Sequence, residues 1–163
     1  MKCKYCGEPM GFLEGLSGKN MHAACGQKKQ KEEAEERKQK IEKSYKEAEN
    51  KHMWGDIAGT LELSILYACG ETPHGQDLPH AMAFYIFAYQ HDSRLLYGEH
   101  QQLAQTALQE IKSQAERTGK STEAIAKQAG PIIGMVTGLF RICHEGSAPP
   151  PGAGPPPPGF ERR

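Results

Sequence analysis

Four side chains near the start of the chain have the types and the spacing of metal ligands. Cysteine and histidine follow the pattern C-x2-C-x15-H-x2-C, formed by Cys3, Cys6, His22 and Cys25. Two ligands separated by two residues can hold one ion from a single tight turn, and two such pairs complete the tetrahedron that Zn²⁺ prefers. The pattern therefore predicts one structural zinc ion. Its coordination would be filled, whereas a catalytic zinc keeps one position open.

The residues around the two pairs suit this geometry. Gly7 follows Cys6 directly and permits the positive φ angle that turns backbone amides toward the sulfurs. Three glycines at positions 11, 15 and 18 predict a short β-hairpin between the pairs. Asn20 is a candidate N-cap, which would place the second pair on the first turn of a helix, where the helix dipole favours thiolates. The net charge of −1 left by three thiolates and Zn²⁺ has nearby lysines to offset it, namely Lys2, Lys4, Lys19 and Lys28.

This segment resembles the first zinc-binding half of a LIM domain and, more broadly, a treble-clef finger. The matching residues are Cys3, Cys6-Gly7, Gly18-Lys19 and Met21-His22-Ala23-Ala24-Cys25. The resemblance covers residues 3–25, because no further cysteine occurs until Cys69. It implies a single LIM-like knuckle whose zinc is structural and whose surface contacts protein or nucleic acid.

A second candidate site involves two histidines farther along the chain. His80 and His91 are eleven residues apart, so they would share a face of a continuous helix, with Asp77 one turn before His80. They could form a metal or acid–base site, or simply be polar edges of a mostly apolar helix. Cys69 and Cys143 have apolar neighbours in the sequence and are expected in the core. The sequence contains no nucleotide-binding or hydrolase motif, so we predict a protein that is not an enzyme.

Composition divides the chain into four segments. Residues 1–25 contain the zinc knuckle, and residues 26–52 are nearly all charged or amide side chains. Apolar residues concentrate in residues 53–145, and residues 146–163 are mostly proline and glycine. We predict a mainly α fold with a small knuckle, a long charged helix, a C-terminal helical bundle and a disordered tail.

The charged segment has strong helix formers and repeated Glu-to-basic pairs four residues apart, which stabilise a helix. Its few apolar residues include Ala34, Ile41 and Ala48, spaced by seven. Both a solvated spacer helix and one strand of a coiled coil therefore remain open, although a stable coiled coil needs more apolar positions.

The bundle segment shows several helical stripes. Ile57, Leu61, Ile65 and Cys69 form one stripe that ends near Gly70, and Leu103, Ala107, Ile111 and Ala115 form another. Between them, residues 80–89 are apolar on nearly all sides, which predicts a helix at the centre of the bundle. Asp77 is a candidate helix cap, and Ser121 or Thr122 caps the last helix. Pro131 should kink or break that last helix.

Two features of the C-terminal part could serve contacts with partners. Gly130, Gly134 and Gly138 lie four residues apart, which permits close packing within the bundle or a homodimer seam. The tail contains Pro149–Pro151 and Pro155–Pro158. Such runs favour polyproline II and suit either a ligand for an aromatic groove or a spacer.

Charge, cysteine usage and hydropathy reduce the number of possible functions further. Residues 1–51 contain 12 basic and 9 acidic side chains, a weaker basic excess than dedicated nucleic-acid binders carry. We find no signal sequence and no apolar run long enough to span a bilayer, so no membrane association is expected. An odd cysteine count with three at metal spacing predicts a reducing, cytoplasmic location. We therefore expect a zinc-binding adaptor with a protein partner; the alternatives are a nucleic-acid-associated protein and, third, a metal-dependent enzyme using His80 and His91.

Overall fold

The computed structural model describes residues 2–11, 22–91, 98 and 100–144, and side chains in the last helix as far as Leu139. Within these ranges the chain forms helices and one isolated β-bridge between Lys2 and Pro9. The helices are α1 (Ala23–Met53), α2 (Ile57–Cys69), α3 (Leu78–His91), α4 (Gln101–Arg117) and α5 (Thr122–His144). The predicted mainly α fold is confirmed. The predicted hairpin and the Asn20 cap fall on residues 12–21, and the predicted tail on residues 146–163, all outside the described residues.

Helix α1 is the long charged helix, and it belongs to two compact units. The first unit comprises residues 1–42 and the second residues 43–163, so their boundary falls inside α1. Every residue from 27 to 40 is exposed. The Lys29 ammonium lies 3.4 Å from the Glu33 carboxylate one turn later, in the reverse of the Glu-to-basic order that the sequence predicted. The possibility that this helix pairs with another in a coiled coil stays a prediction.

The last turns of α1 belong to the core of the second unit. Ala48 and His52 are buried, and Tyr45 packs against the same cluster of buried residues. The bundle predicted over residues 53–145 therefore begins earlier in the structure. The charged composition of this segment hides its buried side, because the residues that pack in the core, Tyr45, Ala48 and His52, are scattered among charged ones.

Gly59 permits a close approach between α1 and α2. A side-chain carbon at this position would lie 2.2 Å from Cβ of Lys51 and 2.8 Å from the backbone nitrogen of His52. Such distances leave room for a hydrogen atom only. The two helices can therefore cross at this point because residue 59 is glycine.

Helix α3 lies at the centre of the bundle and contacts α2, α4 and α5. Its central place was predicted from the apolar residues on nearly all its sides. The predicted caps are also confirmed: Asp77 Oδ1 accepts a hydrogen bond from the His80 amide at 3.0 Å, and Ser121 Oγ accepts one from the Ala124 amide at 3.1 Å. In α4, Ala107, Ile111 and Ala115 are buried as expected.

The buried face of α2 differs from the predicted stripe. Leu61 is buried, but Cys69 is exposed and its sulfur lies 3.7 Å from a Glu110 carboxylate oxygen. The prediction of a core position for Cys69 was wrong; the Cys143 side chain lies outside the described ones. The core instead includes Thr60 and Ser64 of α2, whose hydroxyl groups are hydrogen bonded and so can be buried without a large desolvation penalty.

Helix α5 runs through Pro131 without a break. The predicted close packing of its glycines within the bundle was wrong, because a side-chain carbon at Gly130, Gly134 or Gly138 would meet no neighbouring atom within 4 Å in the described part of the chain. Met135 and Leu139 on this helix are 66% and 48% exposed. The homodimer seam through the three glycines stays a prediction.

Among the helices that the structure describes, none has both the length and the apolarity to cross a membrane.

Candidate metal centre

A tight turn presents the first pair of cysteines. The Cys3 amide donates to the Glu8 carbonyl oxygen at 2.8 Å, and the Gly7 amide donates to the Cys3 carbonyl oxygen at 2.9 Å. Gly7 has a φ angle of +75°, in the left-handed region that glycine adopts without strain. The predicted role of Gly7 is confirmed, and the turn brings both sulfurs to one side.

The second pair lies at the start of α1. His22 directly precedes the helix, and its carbonyl oxygen accepts a hydrogen bond from the Gly26 amide at 2.9 Å. Cys25 lies in the first helical turn, where the helix dipole favours a negatively charged sulfur. The short spacing of His22 and Cys25 places both side chains at this helix end.

The structure brings all four predicted ligands together. One ligand atom from each of Cys3, Cys6, His22 and Cys25 lies within 4.8 Å of the others. Nδ1 of His22 is 3.5 Å from the Cys6 sulfur and 3.9 Å from the Cys25 sulfur. Ideal tetrahedral Zn–S and Zn–N bonds place two sulfurs about 3.8 Å apart and a sulfur and a nitrogen about 3.6 Å apart. The two distances from His22 Nδ1 are thus close to those of a tetrahedral coordination sphere, and the four atoms could hold one metal ion.

The other ring nitrogen of His22 has a partner of its own. Nε2 lies 3.3 Å from the carbonyl oxygen of Pro9, to which its N–H can donate. Metal-binding histidines usually donate their second N–H to such an acceptor, which fixes the tautomer and the direction of the ring. Nδ1 is thus the nitrogen that faces the three sulfurs.

The environment of the cluster shifts the pKa values of Cys3 and Cys25 in opposite directions. The backbone amide of Cys6 donates to the Cys3 sulfur and lowers the pKa of Cys3 to about 6. Removal from water, together with the sulfurs of Cys6 and Cys3, raises the pKa of Cys25 to about 11. Three thiolates this close repel one another, and a divalent cation between them would remove that repulsion. The arrangement therefore favours a cation at its centre.

A tyrosine that no sequence pattern indicated joins the cysteine turn to α1. The Tyr5 hydroxyl donates to a Glu32 carboxylate oxygen, and this hydrogen bond is the first cause that raises the pKa of Tyr5 to about 12. Glu32 lies two turns after Cys25 on the helix. The two partners are 27 residues apart, and no local sequence signal relates them.

The second predicted pair of histidines does not come together. His80 Nδ1 lies 2.8 Å from Asp77 Oδ2, and its ring stacks on Tyr67 with 5.2 Å between ring centres. His91 packs against Phe87 near the other end of α3. Eleven residues of helix separate His80 and His91 by about 16 Å, so one ion cannot bind both. Among the described residues, the N-terminal cluster is the one group of three or more potential ligands close enough to share a metal ion.

No family model, curated protein or solved structure matches this chain. The resemblance to a LIM-like or treble-clef knuckle therefore rests on residues 3–25 alone.

Proposed function

We propose that the protein is a zinc-binding adaptor in which Cys3, Cys6, His22 and Cys25 hold one structural ion and the helices contact another macromolecule, chiefly a protein. The observation that carries the metal assignment is the placement of four ligand atoms within 4.8 Å of one another. These four ligands would fill the tetrahedral coordination sphere of the ion and leave no coordination position for a substrate. The proposed role of the metal is therefore to hold the N-terminal segment in shape.

The ligand types support zinc over other common divalent ions. Thiolate and imidazole ligands in a tetrahedral arrangement suit Zn²⁺, whereas Mg²⁺ and Ca²⁺ take oxygen ligands in larger numbers. A cluster with two iron atoms would require ligands on opposite irons to lie farther apart than the ligands of one tetrahedron. A single zinc ion agrees best with the distances around His22 Nδ1.

Metal analysis of the purified protein tests this assignment. We expect about one zinc ion per chain by elemental analysis, as for a closed four-ligand site. Co²⁺ in its place should show the visible absorption of a tetrahedral site with thiolate ligands. Replacing Cys3 or Cys25 with serine should release the ion. Cys69→Ser is the matched control, because Cys69 lies outside the cluster, and it should retain the metal. Protein prepared without chelator that contains no zinc would contradict the proposal.

The adaptor role needs a test of its own. A pull-down from native lysate with the full chain, with and without nuclease, would separate protein partners from nucleic-acid bridges. Partners that remain after nuclease treatment support the adaptor. Their loss after nuclease would favour the second candidate function, contact with nucleic acid.

One observation supports nucleic-acid binding as the second candidate function. Tyr5 is 37% exposed at the tip of the cysteine turn, and Lys28, Lys29 and Lys31 are exposed on the first turns of α1. Exposed aromatic rings can stack on bases, and lysines can contact phosphates. Such binding must weaken steeply with salt through counterion release. Absence of binding to single-stranded nucleic acid at low salt would remove this candidate.

A further inference from the structure

Among the described residues, the first half of α1 packs against no hydrophobic core. All residues from 27 to 40 are exposed, and the first core residue on this helix is Ala48, with Tyr45 packed against the same cluster. Most helices in proteins depend on burying an apolar face, since an isolated helix of about 12–15 residues is marginal in water. The exposed stretch must therefore be stabilised in other ways.

The side chains of this exposed stretch contribute little to the stability of the helix. Residues 27–40 are mostly strong helix formers, and the Lys29–Glu33 pair adds a weak, salt-sensitive attraction. Propagation from the packed end near Ala48 can extend the helix toward its N-terminus, but each added residue gains little at room temperature. Without a second anchor, the N-terminal turns should fray.

The N-terminal end of α1 has two such anchors. Cys25 lies in the first turn and belongs to the four-ligand cluster. Seven residues later on the same face, Glu32 accepts the hydrogen bond of Tyr5, which lies between Cys3 and Cys6. A bound ion would fix the turn that carries Tyr5 and the helix that carries Glu32 at the same time. One bound ion would therefore hold both anchors.

We propose that metal binding at this cluster orders the exposed half of α1, so that residues 26–40 are a metal-dependent helix. This inference rests on the proposed metal site. Fixing the first turn removes the entropic cost of helix nucleation, and helix formation then continues from both ends. Without metal, order should decrease from the packed C-terminal end of α1 toward Gly26.

Hydrogen exchange on the full chain tests the proposal. Exchange is measured on the zinc-loaded protein and on protein stripped with a chelator under reducing conditions. We expect amides of residues 26–33 to exchange about tenfold or more faster without metal, since metal binding in small domains is strongly coupled to folding. The difference should decrease toward residue 43 and vanish in α3.

The possible failures are distinguishable. If zinc binds but residues 26–40 exchange equally in both forms, the metal-dependent helix is refuted while the metal site stands. A difference confined to residues 22–26 also refutes it, because order would then end at the ligands. Protein that binds no metal would overturn the proposed function and this inference together.

The Tyr5 contact gives a second test with a matched control. Tyr5→Phe keeps the ring and removes the hydroxyl that donates to Glu32. With zinc still bound at one ion per chain, amides near Glu32 should exchange several-fold faster than in the parent protein. Tyr89→Phe removes another exposed hydroxyl, on α3, and should leave α1 unchanged. Unchanged exchange in Tyr5→Phe would refute the part of the ordering assigned to this hydrogen bond.

Discussion

At the scale of single residues, buried polar groups and one glycine determine how the end of α1 packs on α2. His52 Nδ1 lies 2.8 Å from the Thr60 hydroxyl, and Gly59 precedes that threonine. The rings of Phe84 and Phe87 approach His52 edge-on, with centres 5.2 and 5.5 Å away. The contact between the end of α1 and α2 is therefore both close and specific, and we derive two predictions from it.

Replacing Gly59 with alanine should destabilise the second unit. The added carbon would overlap the Lys51 side chain and the His52 backbone, so the helices must separate, at a cost of about 1–3 kcal/mol. The matched control is Gly134→Ala, where the added carbon meets no atom of the described residues within 4 Å. This change should stabilise α5 by about 0.5–1 kcal/mol. Denaturant unfolding measures both changes. Equal stability of Gly59→Ala and the parent protein would contradict the close approach.

The stability of the second unit should fall as pH decreases from about 6.5 toward 4. Burial lowers the pKa of His52 to about 4, while the unfolded chain binds a proton near the ordinary value of 6.5. Below pH 6.5 the unfolded state therefore binds more protons than the folded state, and the free energy of unfolding decreases by up to about 3 kcal/mol. Above pH 6.5 the residue is neutral in both states and this contribution to the pH dependence disappears.

Urea unfolding at several pH values would isolate this contribution. His52→Met should flatten the dependence between pH 6.5 and 4 relative to the parent protein, whatever its effect at pH 7. His74→Gln changes an exposed histidine of the same unit and should leave the slope as it was. A parent protein and a His52→Met variant with the same slope would show that His52 is not held neutral.

At the scale of elements, a fragment that folds independently should have to include the last turns of α1. A fragment starting at Lys43 retains Tyr45, Ala48 and His52 and should be helical and melt cooperatively. A fragment starting at Trp54 lacks all three and leaves their sites on α2 and α3 open, so its melting temperature should be lower or its transition lost. Calorimetry on the two fragments compares them. Equal melting temperatures would show that α1 contributes nothing to the core.

The open face of α5 leads to the opposite expectation. Gly134→Leu should keep or raise the melting temperature, because no described residue lies close to this position and leucine is the better helix former. Light scattering on the same variant tests the predicted homodimer seam. Loss of a dimer that the parent protein forms would place a second copy on this face, while a lower melting temperature at low concentration would show packing within the chain.

The sequence predicted the elements whose signals are local. The capping residues Asp77 and Ser121, the central position of α3 and the pairing of metal ligands two residues apart all follow from spacing within a few residues. The core side of α2 did not, because Thr60 and Ser64 are polar by type and are buried only through partners on other helices. His52 was hidden for the same reason, since it lies in a charged run and its environment is formed by residues far away in sequence.

At the scale of the whole molecule, metal binding in the first unit and the stability of the core in the second unit should be independent. The four potential ligands lie within residues 1–42, whereas the core residues from Ala48 onward lie in the other compact unit. Chelation should therefore change the helical signal of the full chain but leave the melting temperature of the second unit unchanged. Calorimetry with and without chelator, under reducing conditions, measures this. A shift of the main transition would contradict the independence of the two.

The exposed stretch of α1 also has an evolutionary consequence. Apart from Glu32, which accepts the Tyr5 hydrogen bond, residues 27–40 need only remain helical and charged, so substitutions there should accumulate freely and blur any whole-chain comparison between relatives. Gly59, Thr60 and His52 should vary less, because a side chain at residue 59 would overlap Lys51 and the other two are buried and hydrogen bonded to each other. Distant relatives should therefore be recognisable by the pattern H-x6-G-T, joined upstream to a C-x2-C and H-x2-C pair, even where the intervening helix has diverged beyond alignment.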